Sequence, residues 1–241
     1  MAEDVFDRAL GYPYPIPSRS YVYHDGACDE VAAGSSFPDV AGLTPVLAVG
    51  SNQSPRQLAR KFPGPDWAPI PVSRVGLEDF DTVYSAHITG YGSIAATLFY
   101  APGTIVNLFV NWLNETHLRR MHETELGNEN YEFGRLADVR LRAETGPSLN
   151  EVSLYHGLRG IFAPEGRPVP LAEVSATHRQ FDAMTQHQVQ TCIRDRLDPE
   201  KPLENFVHES VADPAVRNSR TERIGRGSLP FAYEGYVPSA L

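Results

Sequence analysis

The feature that most constrains this chain is how its apolar residues are parcelled. Between residues 45 and 158 they fall in short extended-type runs cut by glycine or proline, with only two short helical stretches among them. Pro45-Val46-Leu47-Ala48-Val49 is broken by Gly50 and reads as a buried strand. Ser54-Pro55 then places an N-cap before a proline at the first helical position, Leu58 and Phe62 supply an apolar face, and Pro63 ends a short helix. Tyr84 to Thr89 reads as another strand. Ile94, Ala96, Leu98 and Tyr100 alternate with smaller residues, which predicts a strand over 94–100 turning at Pro102-Gly103 into a second over Ile105 to Trp112. Asn114 caps a helix over 114–126, with Glu115 in its first turn. Tyr131, Phe133, Leu136, Val139 and Leu141 suggest more extended chain, as does Val152 to Leu158. Strands mixed this irregularly with helices predict an α+β fold rather than a doubly wound sheet.

The flanks differ from this middle. Residues 1–42 are rich in Pro, Tyr and Gly, and the prolines of Tyr12-Pro13-Tyr14-Pro15-Ile16-Pro17 forbid a helix or a central strand there. They are expected to drape over the core as an ordered arm, with a disordered arm as the alternative. Leu171 to Leu197 reads as one long helix, since Phe181, Met184, Gln188 and Cys192 lie near a common face and Asp198-Pro199 ends it. Loop signals and a Gly/Tyr/Pro-containing tail follow. The predicted organisation is an N-terminal arm (1–42), a strand-rich middle (43–160) and a helical C-terminal extension (161–241).

Bulk properties narrow the partners. The formal charge is −9, and such a surface repels phosphate backbones, so no nucleic-acid partner is expected. The densest basic stretch, Arg217 to Arg226, is interrupted by Glu222 and Gly225 and reads as a solvated, loop-like segment. Cys28 and Cys192 are too few and too far apart for a disulfide framework or a zinc site. The acidic Met1-Ala2-Glu3-Asp4 has no apolar run behind it, and no apolar stretch approaches the roughly 20 residues of a membrane helix. A cytoplasmic protein with no membrane partner is the expectation.

Two places have the makings of chemistry. Gly50-Ser51-Asn52-Gln53-Ser54-Pro55 joins a strand end to a helix start, where unpaired N–H groups and the helix dipole favour a small anionic group, and a glycine lets a ligand approach the backbone. A plain strand-to-helix turn is the alternative. In the helix Asn114 to Leu126, at about 100° per residue, Leu118, Met121 and Glu125 share one face while Glu123 points away. Docking through Leu118 and Met121 carries the Glu125 carboxylate inward, where burial raises its pKa toward the range useful for proton transfer unless it is paired. The alternative has Glu125 in solvent or paired with Arg119 or Arg120. His122 lies close enough to the same stripe to flank the site, although a structural role suits it better.

Other signals fail. His122-Glu123-Thr124-Glu125-Leu126 begins like the zinc-protease motif but has Leu126 where the second histidine belongs. Gly90-Tyr91-Gly92-Ser93 lacks the third glycine of a dinucleotide loop and leads into a strand. No nucleophile elbow or phosphate-binding loop is present.

In order and spacing, the two candidate places resemble the γ-glutamyl cyclotransferase-like family. The matching pieces are Val46-Leu47-Ala48-Val49-Gly50-Ser51-Asn52, then Ala96-Thr97-Leu98-Phe99-Tyr100-Ala101-Pro102-Gly103, then Leu118 with Met121-His122-Glu123-Thr124-Glu125, then Tyr131; together they span residues 44–158. The resemblance implies a small mixed α+β barrel with Glu125 as catalytic acid/base and with Gly50, Ser51, Asn52 and Tyr131 as substrate contacts. It implies release of 5-oxoproline from a γ-glutamyl peptide or amine, with no metal and no cofactor. A non-catalytic binding or interaction module on the same fold is the competing reading. Val49, His122 and Leu126 stand where the family commonly has tyrosine, aspartate and glycine.

Overall fold

The structure is a computed structural model that describes residues 3–127 and 130–239. Helix α1 (Val5–Leu10) is capped by Asp4, whose Oδ1 accepts from the N–H of Phe6 at 2.8 Å. Strands β1 (Tyr21–His24), β2 (Ala27–Glu30) and β3 (Thr44–Ala48) follow, then a 3-10 turn (Ser51–Gln53) and helix α2 (Pro55–Lys61). The long strands β4 (Ile70–Ile88) and β5 (Ile94–Leu113) lead to helix α3 (Glu115–Glu125). After these come β6 (Tyr131–Leu136), β7 (Leu141–Ala143), β8 (Val152–Gly157) and β9 (Ala176–Thr177). Helices α4 (Gln186–Leu197), α5 (Leu203–Ala212) and α6 (Pro214–Gly225) precede the last strand, β10 (Tyr236–Pro238).

The ten strands form one mixed sheet in the order β10-β6-β8-β3-β5-β4-β1-β2, with β7 added on β4 and β9 on β5. All neighbours along the order are antiparallel except β3 and β8. The expected α+β class holds, but the barrel does not close. A closed barrel requires its first and last strands to pair. Here the flanks lengthen the sheet at its ends instead: β1 and β2 come from the N-terminal segment, β10 from the C-terminal tail. The segment 3–42 is thus joined to the sheet by main-chain hydrogen bonding through β1 and β4.

Alternation along each strand separates two apolar layers. Leu47, Val110 and Trp112 point to a layer that also holds Val189, Ile193, Phe206 and Ile224 of the C-terminal helices. Val46, Ala48, Phe109 and Leu113 point to the other, under α2 and α3, with Leu58, Phe62 and Met121. Burying one such side chain fully stabilises by about 1.5–3 kcal/mol, so both helices are firmly seated on the sheet.

Three expectations about elements are corrected. Pro102-Gly103 is not a hairpin turn: β5 runs through it, and the real turn joining β4 to β5 is Thr89 to Ser93, closed by the Thr89 N–H donating to the Ser93 carbonyl at 2.8 Å. Gly103 adopts φ 86° and its N–H donates to Asp79 Oδ1 at 2.8 Å, so the register skips from Glu78–Ile105 to Phe80–Tyr100 across a bulge. The long helix over 171–197 exists only from Gln186. Leu171 to Met184 is tied by backbone bonds between Ala172 and Met184 and between Met184 and Pro170, and Thr185 starts the helix with a capping box closed by Gln188. Finally, Arg217 to Arg226 is not loop-like, since most of it lies in α6. Asp213 caps that helix and Pro214 opens it, while Arg220 is buried and donates to the Phe206 carbonyl, Ser210 and Glu209.

Candidate functional site

Strand β3 ends beside β5, and the chain then turns through Gly50 into the 3-10 turn Ser51–Gln53. Gln53 fixes this turn from inside: it is fully buried, and its Nε2 donates to the carbonyls of Val49 (3.1 Å) and Gly50 (3.2 Å). From outside, Tyr21 Oη donates to the Gln53 carbonyl at 2.9 Å and Asn111 Nδ2 to the Asn52 carbonyl at 3.2 Å. The Gln53 N–H donates to the Gly50 carbonyl at 3.2 Å, while the N–H groups of Ser51 and Asn52, which open the turn, have no acceptor within it.

The close approach at Gly50 is made by the protein itself. A Cβ there would collide with the Tyr12 hydroxyl, which accepts from the Ala96 N–H at 2.9 Å. The space on the Cβ side of this glycine is taken by Tyr12. The start of α2 does not face the cavity described next. Ser54 lies outside its lining, and α2 contributes Gln57, Arg60 and Lys61 from its body and last turn.

Helix α3 carries Glu125 into the same region. Asn114 caps it, accepting from the His117 N–H at 2.8 Å, and Met121 is completely buried one turn before Glu125. Oε1 of Glu125 accepts from Asn52 Nδ2 at 2.9 Å and forms an ion pair with Lys61 Nζ. The two charged side chains are 15% and 6% exposed, so solvent screens the pair little. No hydrogen bond reaches Oε2 among the described residues. The Lys61 ammonium also approaches Met121 Sδ at 3.2 Å. Arg119 and Arg120, the other candidate partners, pair with Glu115 and Glu123 instead.

A cavity of about 340 Å³ opens over this pair, within the size range of small-molecule sites. Gly50, Ser51, Asn52, Glu125 and Tyr131 all line it, so the structure brings these five residues together. It adds Arg8 and Tyr12 from the N-terminal segment, Tyr91 from the β4–β5 turn, His87, Tyr155 and Lys61. His122 is not in the lining; its Nδ1 shares a hydrogen bond with Tyr155 Oη at 2.8 Å and its ring packs edge-on against Phe133.

The electrostatics differ from what burial alone predicts. Burial acts to raise the pKa of Glu125, but the Lys61 charge and the hydrogen bonds from Lys61 and Asn52 outweigh it and hold the carboxyl below its ordinary value. Glu125 is thus a carboxylate at neutral pH. Burial, with the nearby negative charge of Glu125, raises the phenols of Tyr12, Tyr91, Tyr131 and Tyr155, so these present neutral hydroxyls. His87 is lowered to about 4 by burial, with Arg159 and Arg217 adding to the effect, and is neutral as well. Among the described residues no group of three or more His, Cys, Asp and Glu side chains is arranged to hold a metal ion. No helix among them is long and apolar enough to cross a membrane.

Sequence reasoning missed Lys61, although a signal was present. Leu58, Lys61 and Phe62 stand at i, i+3 and i+4, which sets a cation on the apolar stripe of α2, where it needs a buried partner. Arg8, Tyr12 and Tyr91 carried no comparable sign, since only the tertiary fold brings their segments to the site.

No family model matches the chain, and comparison with curated proteins found no significant match. The chain is similar to a solved gamma-glutamyl cyclotransferase at 16% identity, with a TM-score of 0.37, over 80% of this chain and 91% of the other. It is also similar to the solution structure of At5g39720.1 from Arabidopsis thaliana at 17% identity, with a TM-score of 0.36, over 50% of this chain and 72% of the other.

Proposed function

We propose that the chain is a γ-glutamyl cyclotransferase-like enzyme that releases 5-oxoproline from a γ-glutamyl peptide or amine, with Glu125 as acid/base. The observation that carries this reading is the convergence of an ionised glutamate and an amide-bearing turn on one small cavity, joined by the Asn52–Glu125 hydrogen bond. The α-amino group of a γ-glutamyl compound attacks its own γ-carbonyl and closes a five-membered ring. Nucleophile and electrophile share one molecule, so the protein mainly holds the near-attack conformer. Glu125 Oε2 takes a proton from the ammonium and returns it to the departing nitrogen, while N–H groups of the Gly50–Asn52 turn steady the oxyanion.

Lys61 shapes the first step. A free α-amino group titrates near 7.7–8.0 and an ordinary glutamate near 4.3, so this proton transfer is uphill by about 5 kcal/mol even without the ion pair. A substrate whose α-carboxylate draws Lys61 toward itself leaves burial to act on Glu125 with less opposition, and the gap narrows. In the second reading, a non-catalytic binding module, the same pair simply satisfies a buried carboxylate; the low pKa of Glu125 favours it.

Release of 5-oxoproline from γ-glutamyl peptides and amines separates the two. Glu125→Gln is expected to abolish release with the fold intact, whereas Glu123→Gln, on an exposed residue paired with Arg120, leaves it nearly unchanged. Equal turnover by wild type and Glu125→Gln refutes the assignment.

A further inference from the structure

The cavity holds three cationic side chains, and they differ in what they already bind. Lys61 is engaged by Glu125, and Arg60 by Glu3 at 3.0 Å and by Gln57 at 3.3 Å. Arg8 is not matched in this way. It has no ion pair among the described residues, and its Nε is buried without a hydrogen-bond partner. Its guanidinium carbon stands 5.1 Å from the centre of the Tyr91 ring. Tyr91 in turn lines the cavity together with Ser51 and Thr89. Arg8 therefore stands over the same wall as the Gly50–Asn52 turn, fixed by ring stacking but with its donors uncommitted. Helix α1, which carries it, packs against α5, so the arginine is held by structure rather than by a counter-ion.

An arginine fork of this kind matches a carboxylate in shape and charge. We infer that Arg8 is a specificity-determining residue that receives a ligand carboxylate, the one borne by the leaving group of the γ-glutamyl substrate. The substrate class is then γ-glutamyl amino acids and peptides, in preference to γ-glutamylamines. This rests on the proposed cyclotransferase reading. In the proposed reaction the glutamyl head has Lys61 for its own α-carboxylate and the Gly50–Asn52 donors for the oxyanion at its γ-carbon, which leaves Arg8 for the second anionic end.

The test is calorimetric binding in the full chain carrying Glu125→Gln, with and without Arg8→Met, which keeps an unbranched side chain over Tyr91. The ligands are γ-glutamylglycine, its α-carboxamide, and γ-glutamylmethylamide, which lacks the leaving-group carboxylate. Arg8→Met is expected to weaken γ-glutamylglycine and its α-carboxamide at least tenfold and to change γ-glutamylmethylamide less than twofold. Weakening of γ-glutamylglycine and the methylamide but not of the α-carboxamide moves the contact to the α-carboxylate and overturns the substrate class. Equal Kd values with and without Arg8→Met for every ligand, or no binding of any, overturn the receptor itself, as does equal weakening of all three. Arg8→Lys serves as the conservative variant and is expected to recover part of the affinity. A wild-type chain that binds through Arg8 yet releases no 5-oxoproline refutes the reaction and leaves the receptor standing. Turnover that ignores Arg8→Met does the reverse.

Discussion

Lys61→Met is the perturbation that most directly probes how the site is built. It removes the cation from a pair whose side chains are 6% and 15% exposed and leaves Glu125 with Asn52 as its remaining hydrogen-bond donor among the described residues. Removing one partner of a buried pair costs about 3–5 kcal/mol, because the other charge stays behind unmatched. Unfolding entropy near 2.1 cal/mol/K per residue over 241 residues makes that a fall in Tm of about 6–10 °C at pH 7. The double variant Lys61→Met/Glu125→Gln is expected to regain most of the loss, since neither charge is then buried alone, and the departure from additivity measures the coupling. The pH dependence fixes the sign. In the wild type the folded pKa of Glu125 lies below the unfolded value, so the pair stabilises above the unfolded value and that stability is lost as pH falls through the folded one. In Lys61→Met burial acts with little opposition and the folded pKa rises above the unfolded value. The penalty is then greatest at neutral pH and fades as the carboxyl protonates. Thermal unfolding by circular dichroism at pH 7 and pH 4, on four proteins, should show a wild-type-to-variant gap that narrows at the lower pH. Additive losses in the double variant, or a gap that does not change with pH, would refute the buried-pair account.

Gly50→Ala should destabilise by about 1–3 kcal/mol through the collision with the Tyr12 hydroxyl, and Tyr12→Phe in the same chain should relieve part of it. Chemical denaturation of the two single variants and the double checks this, and strict additivity would place the strain elsewhere. His87 has its folded pKa depressed to about 4, so relative to pH 7 stability falls as pH drops from the unfolded value near 6.5 toward 4, by about 3 kcal/mol at most. His87→Gln should flatten that part of the stability-versus-pH curve, and an unchanged slope would mean that other groups carry it.

The middle of the chain was readable because its local signals agree with its tertiary role. Asn114 and Ser54-Pro55 mark helix starts, and the spacing of Leu118, Met121 and Glu125 aims a carboxylate at the sheet whatever surrounds it. Where local signals and tertiary pairing compete, the reading fails. Pro102-Gly103 has the chemistry of a turn, yet Asp79 on the neighbouring strand accepts the Gly103 N–H and converts it to a bulge within β5. Phe181 and Met184 have helical spacing, but the pairing of β9 with β5 and the Leu171–Met184 bridge take that segment before Thr185 can start a helix. The same competition explains why the charge state of Glu125 was unreadable. Lys61 is 64 residues away in sequence, and nothing local says that it would outweigh burial.

The flanks follow from this. The family resemblance spans residues 44–158, which carry the acid and the turn. One wall of the cavity comes from residues outside that span: Tyr12 seals the turn at Gly50 and Arg8 covers Tyr91. Neither could be placed from sequence, because each depends on α1 docking against α5, an element that lies where the sequence carries loop signals. Under the proposed function the chemistry belongs to the middle, and the choice of leaving group to the ends. Substitutions in residues 3–17 should alter which γ-glutamyl compound binds while leaving the Glu125–Lys61 pair in place. Substitutions of Lys61 in α2 or Glu125 in α3 should alter turnover of all of them alike.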